Sequence, residues 1–160
     1  MHKLAFFSCL LTSAIGAASA EPARLESTWT GIITLPLRLP AQKQAKAASP
    51  LTVIRDAKAY EKFLKRIPKK QISRTRPAPP NMDPLLKQPR IDFAKNTLLM
   101  AECPSLTKPI FRKIERGPKE TVVTVSFPRN QPLARPIHIG CYAALLVPKI
   151  DGRIRLNLVK

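Results

Sequence analysis

Histidine, cysteine, serine and the carboxylates are the side chains of this chain that could do covalent, metal or acid–base chemistry, and they are few. His2 and His138 are its histidines, and Cys9, Cys103 and Cys141 its cysteines. A zinc site needs three or four Cys, His or carboxylate ligands at suitable spacing, and one histidine outside the amino terminus does not supply them. A Cys–His nucleophilic pair would need a reduced Cys103 or Cys141 beside His138. His138 and Cys141 are three residues apart in an extended stretch, so their side chains point to opposite faces. A serine triad must also use His138, with Ser105 or Ser126 as nucleophile, and neither serine sits in a Gly-x-Ser-x-Gly turn. The ten acidic residues are scattered, and there is no phosphate loop or dinucleotide fingerprint. The expectation is a non-catalytic protein with no metal and no cofactor; a hydrolase using His138 is the remote alternative.

The second chemistry is charge. Lys62, Lys65, Arg66, Lys69, Lys70, Arg74 and Arg76 form a run with no acid among them, in a chain of net charge +18. Such a run is often only a solvated face that keeps a protein in solution. Its functional reading is a docking surface for an anionic partner: an acidic protein, lipid headgroups, lipopolysaccharide phosphates or an acidic polysaccharide. Nucleic acid ranks last, because single-strand readers interleave aromatics with their cations and here Tyr60 and Phe63 belong to an apolar helix face.

The amino terminus says which anions are in reach. Met1-His2-Lys3 is a short positive segment, residues 4–15 are apolar, and Ala18-Ser19-Ala20 has the small-x-small pattern of a cleavage site. The apolar run is too short to cross the roughly 30 Å hydrocarbon layer. Residues 1–20 are therefore expected to be a secretory signal, and residues 21–160 one small domain in the periplasm or outside a bacterial cell. No later apolar run is long enough to span a membrane. Cleavage would remove Lys3, His2 and Cys9, leaving an even pair, Cys103 and Cys141. In an oxidising compartment that pair is expected to form a disulfide, adding about 4 kcal/mol in the chain-entropy account.

Seventeen prolines against five glycines indicate short extended segments with stiff connections. Residues 28–39 read as a strand, and Pro36 makes it an edge strand. Residues 41–50 read as an exposed loop. Residues 51–54 form a short strand leading into the one helix, about 56–67, with Asp56 as N-cap. Its apolar face carries Ala59, Tyr60, Phe63, Leu64 and Ile67. Residues 68–90 hold many prolines and read as a long, partly mobile basic loop. Residues 97–101 are a fully apolar, central strand. Residues 110–116 and 121–127 form a hairpin, and residues 137–147 and 153–159 a second hairpin around Lys149-Ile150-Asp151-Gly152. The expected fold is α+β: a small, mostly antiparallel sheet of about six strands packed on one main helix.

This order of pieces resembles the C-terminal domain family of the bacterial protease-complex subunit PrcB. The matching residues are Val53-Ile54-Arg55-Asp56, then Tyr60 with Phe63-Leu64, then Ile91-Asp92-Phe93-Ala94-Lys95. Leu98-Leu99-Met100 and Pro136-Ile137-His138-Ile139 continue the likeness, which covers about residues 51–147. The family carries a Gly-Gly-aromatic turn after its Asp-Phe strand; here Cys103-Pro104-Ser105-Leu106-Thr107-Lys108-Pro109 contains no glycine. The resemblance implies an exported accessory or binding domain, an accessory subunit of an envelope or surface complex, and carries over no catalytic residue.

Overall fold

The computed structural model describes residues 27–35, 50–71, 76–105, 107–127 and 138–159. The signal segment, the 41–49 stretch and the far end of the first expected strand lie outside the described residues.

Two strands set the architecture because they are apolar on both faces. β3 (Asn96–Cys103, NTLLMAEC) and β6 (Ile139–Pro148, IGCYAALLVP) are buried over most of their length. A strand with two apolar faces must be covered twice. The two therefore pair with each other at the centre of a four-stranded sheet, ordered β1-β6-β3-β2, with β1 (Ser27–Thr34) and β2 (Leu51–Ile54) as edges. All its pairings are antiparallel.

One face of this sheet is covered by α1 (Ala57–Leu64) and by a 3-10 turn, Pro84–Lys87. Leu98, Met100, Tyr142 and Ala144 from the sheet meet Tyr60, Phe63, Ile67 and Leu85 there. The Phe63 and Tyr142 rings pack edge to face at 5.3 Å. Asp56 caps the helix as its side chain implied, accepting from the Ala59 N–H at 2.7 Å. After Leu64 the chain tightens, with Arg66 and Ile67 donating to the Phe63 and Leu64 carbonyls, and Pro68 follows.

The other face is covered by a second, three-stranded sheet, which the expectation of a single sheet missed. It is ordered β4-β5-β7, from β4 (Ile110–Arg116), β5 (Glu120–Ser126) and β7 (Arg153–Val159). Leu99, Ala101, Leu145 and Val147 meet Ile114, Val123, Val125 and Ile150 between the sheets. The β4–β5 hairpin is as expected. The second hairpin is not: β6 and β7 belong to different sheets, and β7 pairs parallel with β5. The physical reason is facial. β6 needs cover on both sides, whereas β7 alternates apolar and polar residues from Arg153 to Leu158 and can supply cover on one side only. The intervening turn is held as a crossover: the Ile150 N–H donates to Thr97 Oγ1 at 3.1 Å. Arg55 donates to the Ile150 and Gly152 carbonyls at 3.2 and 3.1 Å, and Arg116 to the Pro148 carbonyl at 2.7 Å. The α+β class therefore stands, with seven strands in two sheets and one helix among the described residues.

The described parts of the 68–90 loop are anchored at two places. Residues 69–71 and 79–81 bond across to each other, through Gln71 to Pro79 and Asn81 to Lys69. Leu85 then enters the core with 0% exposure. Proline content suggested a loop, but Asp83 capping the 3-10 turn and Leu85 plugging the sheet tie the segment down.

Candidate functional site

The end of α1, the 68–71 and 80–82 segments and the edge strand β1 converge. The Thr34 N–H donates to the Arg66 carbonyl at 2.9 Å, which fastens the helix end to the β1 edge. Beside that contact opens a cleft of about 250 Å³ lined by Ile32, Pro68, Lys70, Gln71, Asn81 and Met82. Asn81 shapes its floor by donating to the Pro68 carbonyl at 2.7 Å and accepting from the Asp83 N–H at 3.1 Å.

The basic run reaches this cleft through Lys70, with Lys69 adjoining, and one of its members is diverted. Lys62, Lys65, Lys69, Lys70 and Arg76 are exposed, and among the described residues none has an acidic partner. Arg66 differs. Its guanidinium grips Glu102 with two bonds, 2.9 and 2.6 Å, reaches the Thr34 carbonyl at 3.4 Å and lies over the Phe63 ring. Glu102 is largely buried on β3, so Arg66 neutralises an inward carboxylate and joins α1 to β1 and β3. Its sequence neighbours gave no sign of this, because Glu102 is thirty-six positions away. Arg74 lies outside the described residues. Of the other acids, Asp92, Glu115, Glu120 and Asp151 pair with Lys95, Lys113, Arg155 and Lys149, while Glu61 is exposed on α1 next to Lys62.

Behind the cleft lies a buried polar cluster that sequence reasoning missed. Asp83 is 6% exposed. Its Oδ1 accepts from the Tyr142 hydroxyl at 2.6 Å and from the Leu85 N–H at 3.0 Å. Its Oδ2 is buried without a hydrogen bond and rests against Gly31 of β1, and the Tyr60 hydroxyl is likewise buried and unpartnered. Burial, reinforced by the Asp83 charge, pushes the Tyr60 phenol up to about 12. Burial also pushes Tyr142 up strongly, helped by the hydrogen bond it donates to Asp83 and by that carboxylate's charge. The available signal was Gly31, a lone glycine inside a strand pattern, which marks the close approach of another segment.

The groups weighed for catalysis are dispersed. His138 is exposed just before β6, while Cys141 is buried. Ser105 is buried and its hydroxyl accepts from the Thr107 N–H at 3.1 Å, closing a local turn. Ser126 ends β5 in the second sheet. Cys103 and Cys141 are buried and face each other directly across the β3–β6 ladder, and the expected disulfide between them is not formed in this structure. Cys103 Sγ lies 3.3 Å from the Thr107 carbonyl, to which it donates. Burial raises both thiols, partly offset at Cys141 by the nearby Lys108 ammonium. Among the described residues no group of three His, Cys, Asp or Glu side chains could hold a metal ion, and no helix is long and apolar enough to cross a membrane.

No family model matches this chain, and neither a curated protein nor a solved structure does.

Proposed function

We propose that this is an exported, non-catalytic binding domain that docks an acidic protein partner through the basic face at the end of α1, as an accessory subunit of an envelope or surface complex. One observation carries this reading. Lys62, Lys65, Lys69, Lys70 and Arg76 are exposed and form no ion pair among the described residues, they outnumber the one exposed acid beside them in sequence, Glu61, and Lys70 lines the cleft. Uncompensated charge beside a concave surface attracts a carboxylate-bearing partner and speeds its encounter. The PrcB-like order of elements accords with an accessory role. Titration with soluble poly-glutamate and, in parallel, with anionic lipid vesicles separates the candidate partner classes. The reading predicts salt-sensitive binding to the polypeptide that exceeds binding to vesicles of equal charge density. Binding to vesicles alone would move the partner to anionic lipid, and binding to neither would refute a docking face.

Export also bears on the cysteine pair. Opposed residues of an antiparallel ladder hold their Cα atoms roughly 4.5–5.5 Å apart, inside the span that a disulfide bridges. Thiol–disulfide exchange with an oxidising protein disulfide would join Cys103 to Cys141. One sulfur displaces a thiol from the donor and the second resolves the mixed disulfide, so two protons and two electrons leave with the donor as its two thiols. The expected result for protein isolated from the periplasm without reductant is a mass about 2 Da below the dithiol form. Two alkylated cysteines after unfolding in a thiol-blocking reagent would rule the bridge out.

A further inference from the structure

The four sheet edges are not equally guarded. β2 is only four residues long. β4 carries a register shift between Phe111 and Lys113, a bulge that spoils an edge for pairing. β7 carries Arg153 and Arg155. β1 (STWTGIIT) has no charge, no proline and an unbroken register from Ser27 to Thr34. Natural edges avoid that combination unless something is meant to pair there.

The hydrogen-bond phase of β1 shows which groups are on offer. The Leu35 N–H donates to the His138 carbonyl, so the alternation of an antiparallel ladder turns Ile33, Gly31 and Trp29 towards β6. Thr34, Ile32, Thr30 and Thr28 turn their N–H and C=O groups outward. Thr34 confirms the phase, because both its N–H and its C=O meet Arg66. Among the described residues no backbone group pairs with the outward groups of Ile32, Thr30 and Thr28. Ile32 opens into the 250 Å³ cleft, with Lys70 on its wall and Lys69 adjoining. Further along, Lys108 Nζ sits 2.9 Å from Thr30 Oγ1. The unguarded stretch is thus bracketed by cations that belong to neighbouring segments and not to the strand itself.

We infer that β1 is the docking strand: an extended acidic segment of the partner adds beside Thr28, Thr30 and Ile32, and its carboxylates meet Lys69, Lys70 and Lys108. Strand addition provides affinity through main-chain bonds, and flanking charge selects an acidic sequence. The inference rests on the acidic-partner reading above and adds the mode of binding.

The test uses a fluorescein-labelled, capped peptide of alternating valine and glutamate, and two versions of it N-methylated on one or the other alternate set of nitrogens. Only one set can face β1, so one methylated version should lose tenfold or more in affinity by polarisation, while the other stays within about twofold of the parent. Equal behaviour of the two methylated versions would overturn strand addition. If Lys69→Ser and Lys70→Ser still weakened all three peptides alike, the acidic-partner reading would survive without it. Failure of the parent peptide to bind, alongside salt-sensitive poly-glutamate binding, would have the same meaning. A concentration-dependent dimer in sedimentation that the peptide does not dissociate would assign the edge to a second copy of this chain and overturn the inference.

Discussion

Raising the pH of the folded protein should leave its tyrosinate absorbance flat well past the point where free tyrosine ionises. The chain has two tyrosines, Tyr60 and Tyr142, and both are buried against the Asp83 carboxylate. Tyr60 moves from 10.0 to about 12, and Tyr142 is raised further. Well below pH 10.0 both phenols are protonated in the folded and unfolded chains alike, and stability is undiminished. Between pH 10.0 and about 12 the unfolded chain loses protons that the folded chain keeps, so stability falls as pH rises. Tyr60 alone contributes a loss of about 3 kcal/mol across that window, and Tyr142 adds to it. Ionisation and unfolding should then occur together, as one cooperative alkaline transition. A tyrosine titrating near pH 10 in protein that retains its native circular dichroism would contradict the buried Tyr60–Asp83–Tyr142 cluster.

Gly31→Ala should be among the most damaging single substitutions in the chain. A Cβ at this position would overlap Asp83 Oδ2 and stand 2.8 Å from the Tyr142 ring. Neither neighbour can give way easily: Asp83 is pinned by Tyr142 and Leu85, and Tyr142 is fully buried. Overpacking of this kind costs about 3 kcal/mol, read from urea melts at neutral pH. Asp83→Ala alone leaves the Tyr142 hydroxyl unpartnered and costs about 2 kcal/mol. It also vacates the space that the new methyl needs, so the double variant should be more stable than the sum of the two losses implies, by about 1–2 kcal/mol. Strict additivity, or a Gly31→Ala protein within about 0.5 kcal/mol of the parent, would mean that the 3-10 segment does not rest on β1.

Local chemistry made half of this protein legible in its sequence. Asp56 before an apolar helical face specified α1, and the runs 110–116 and 121–127 specified the β4–β5 hairpin. What was hidden depended on contacts between distant positions. The apolar run 97–101 implied a central strand, but whether cover came from a helix or a second sheet was decided by β4, β5 and β7 together. Lys149-Ile150-Asp151-Gly152 has the composition of a hairpin turn, yet Thr97 and Arg55 redirect it between sheets. The basic run was visible as a run, but the removal of Arg66 from it required Glu102 on a different strand. Asp83 was the hardest to see: a single acid among prolines, which the fold places at the back of the cleft.

The central claim is that binding belongs to one face and is not a property of net charge. The most direct measurement compares two variants of equal charge by titration with soluble poly-glutamate over a salt series. One carries Lys65→Ser, Lys69→Ser and Lys70→Ser in the basic run, and the other Lys113→Ser, Lys119→Ser and Arg153→Ser in the second sheet and its β4–β5 turn. The account predicts that the first variant loses tenfold or more in affinity at low salt and shows a shallower salt dependence, while the second stays within about twofold of the parent. Equal losses in the two variants would show that the cleft face has no special part in binding, and would contradict the account.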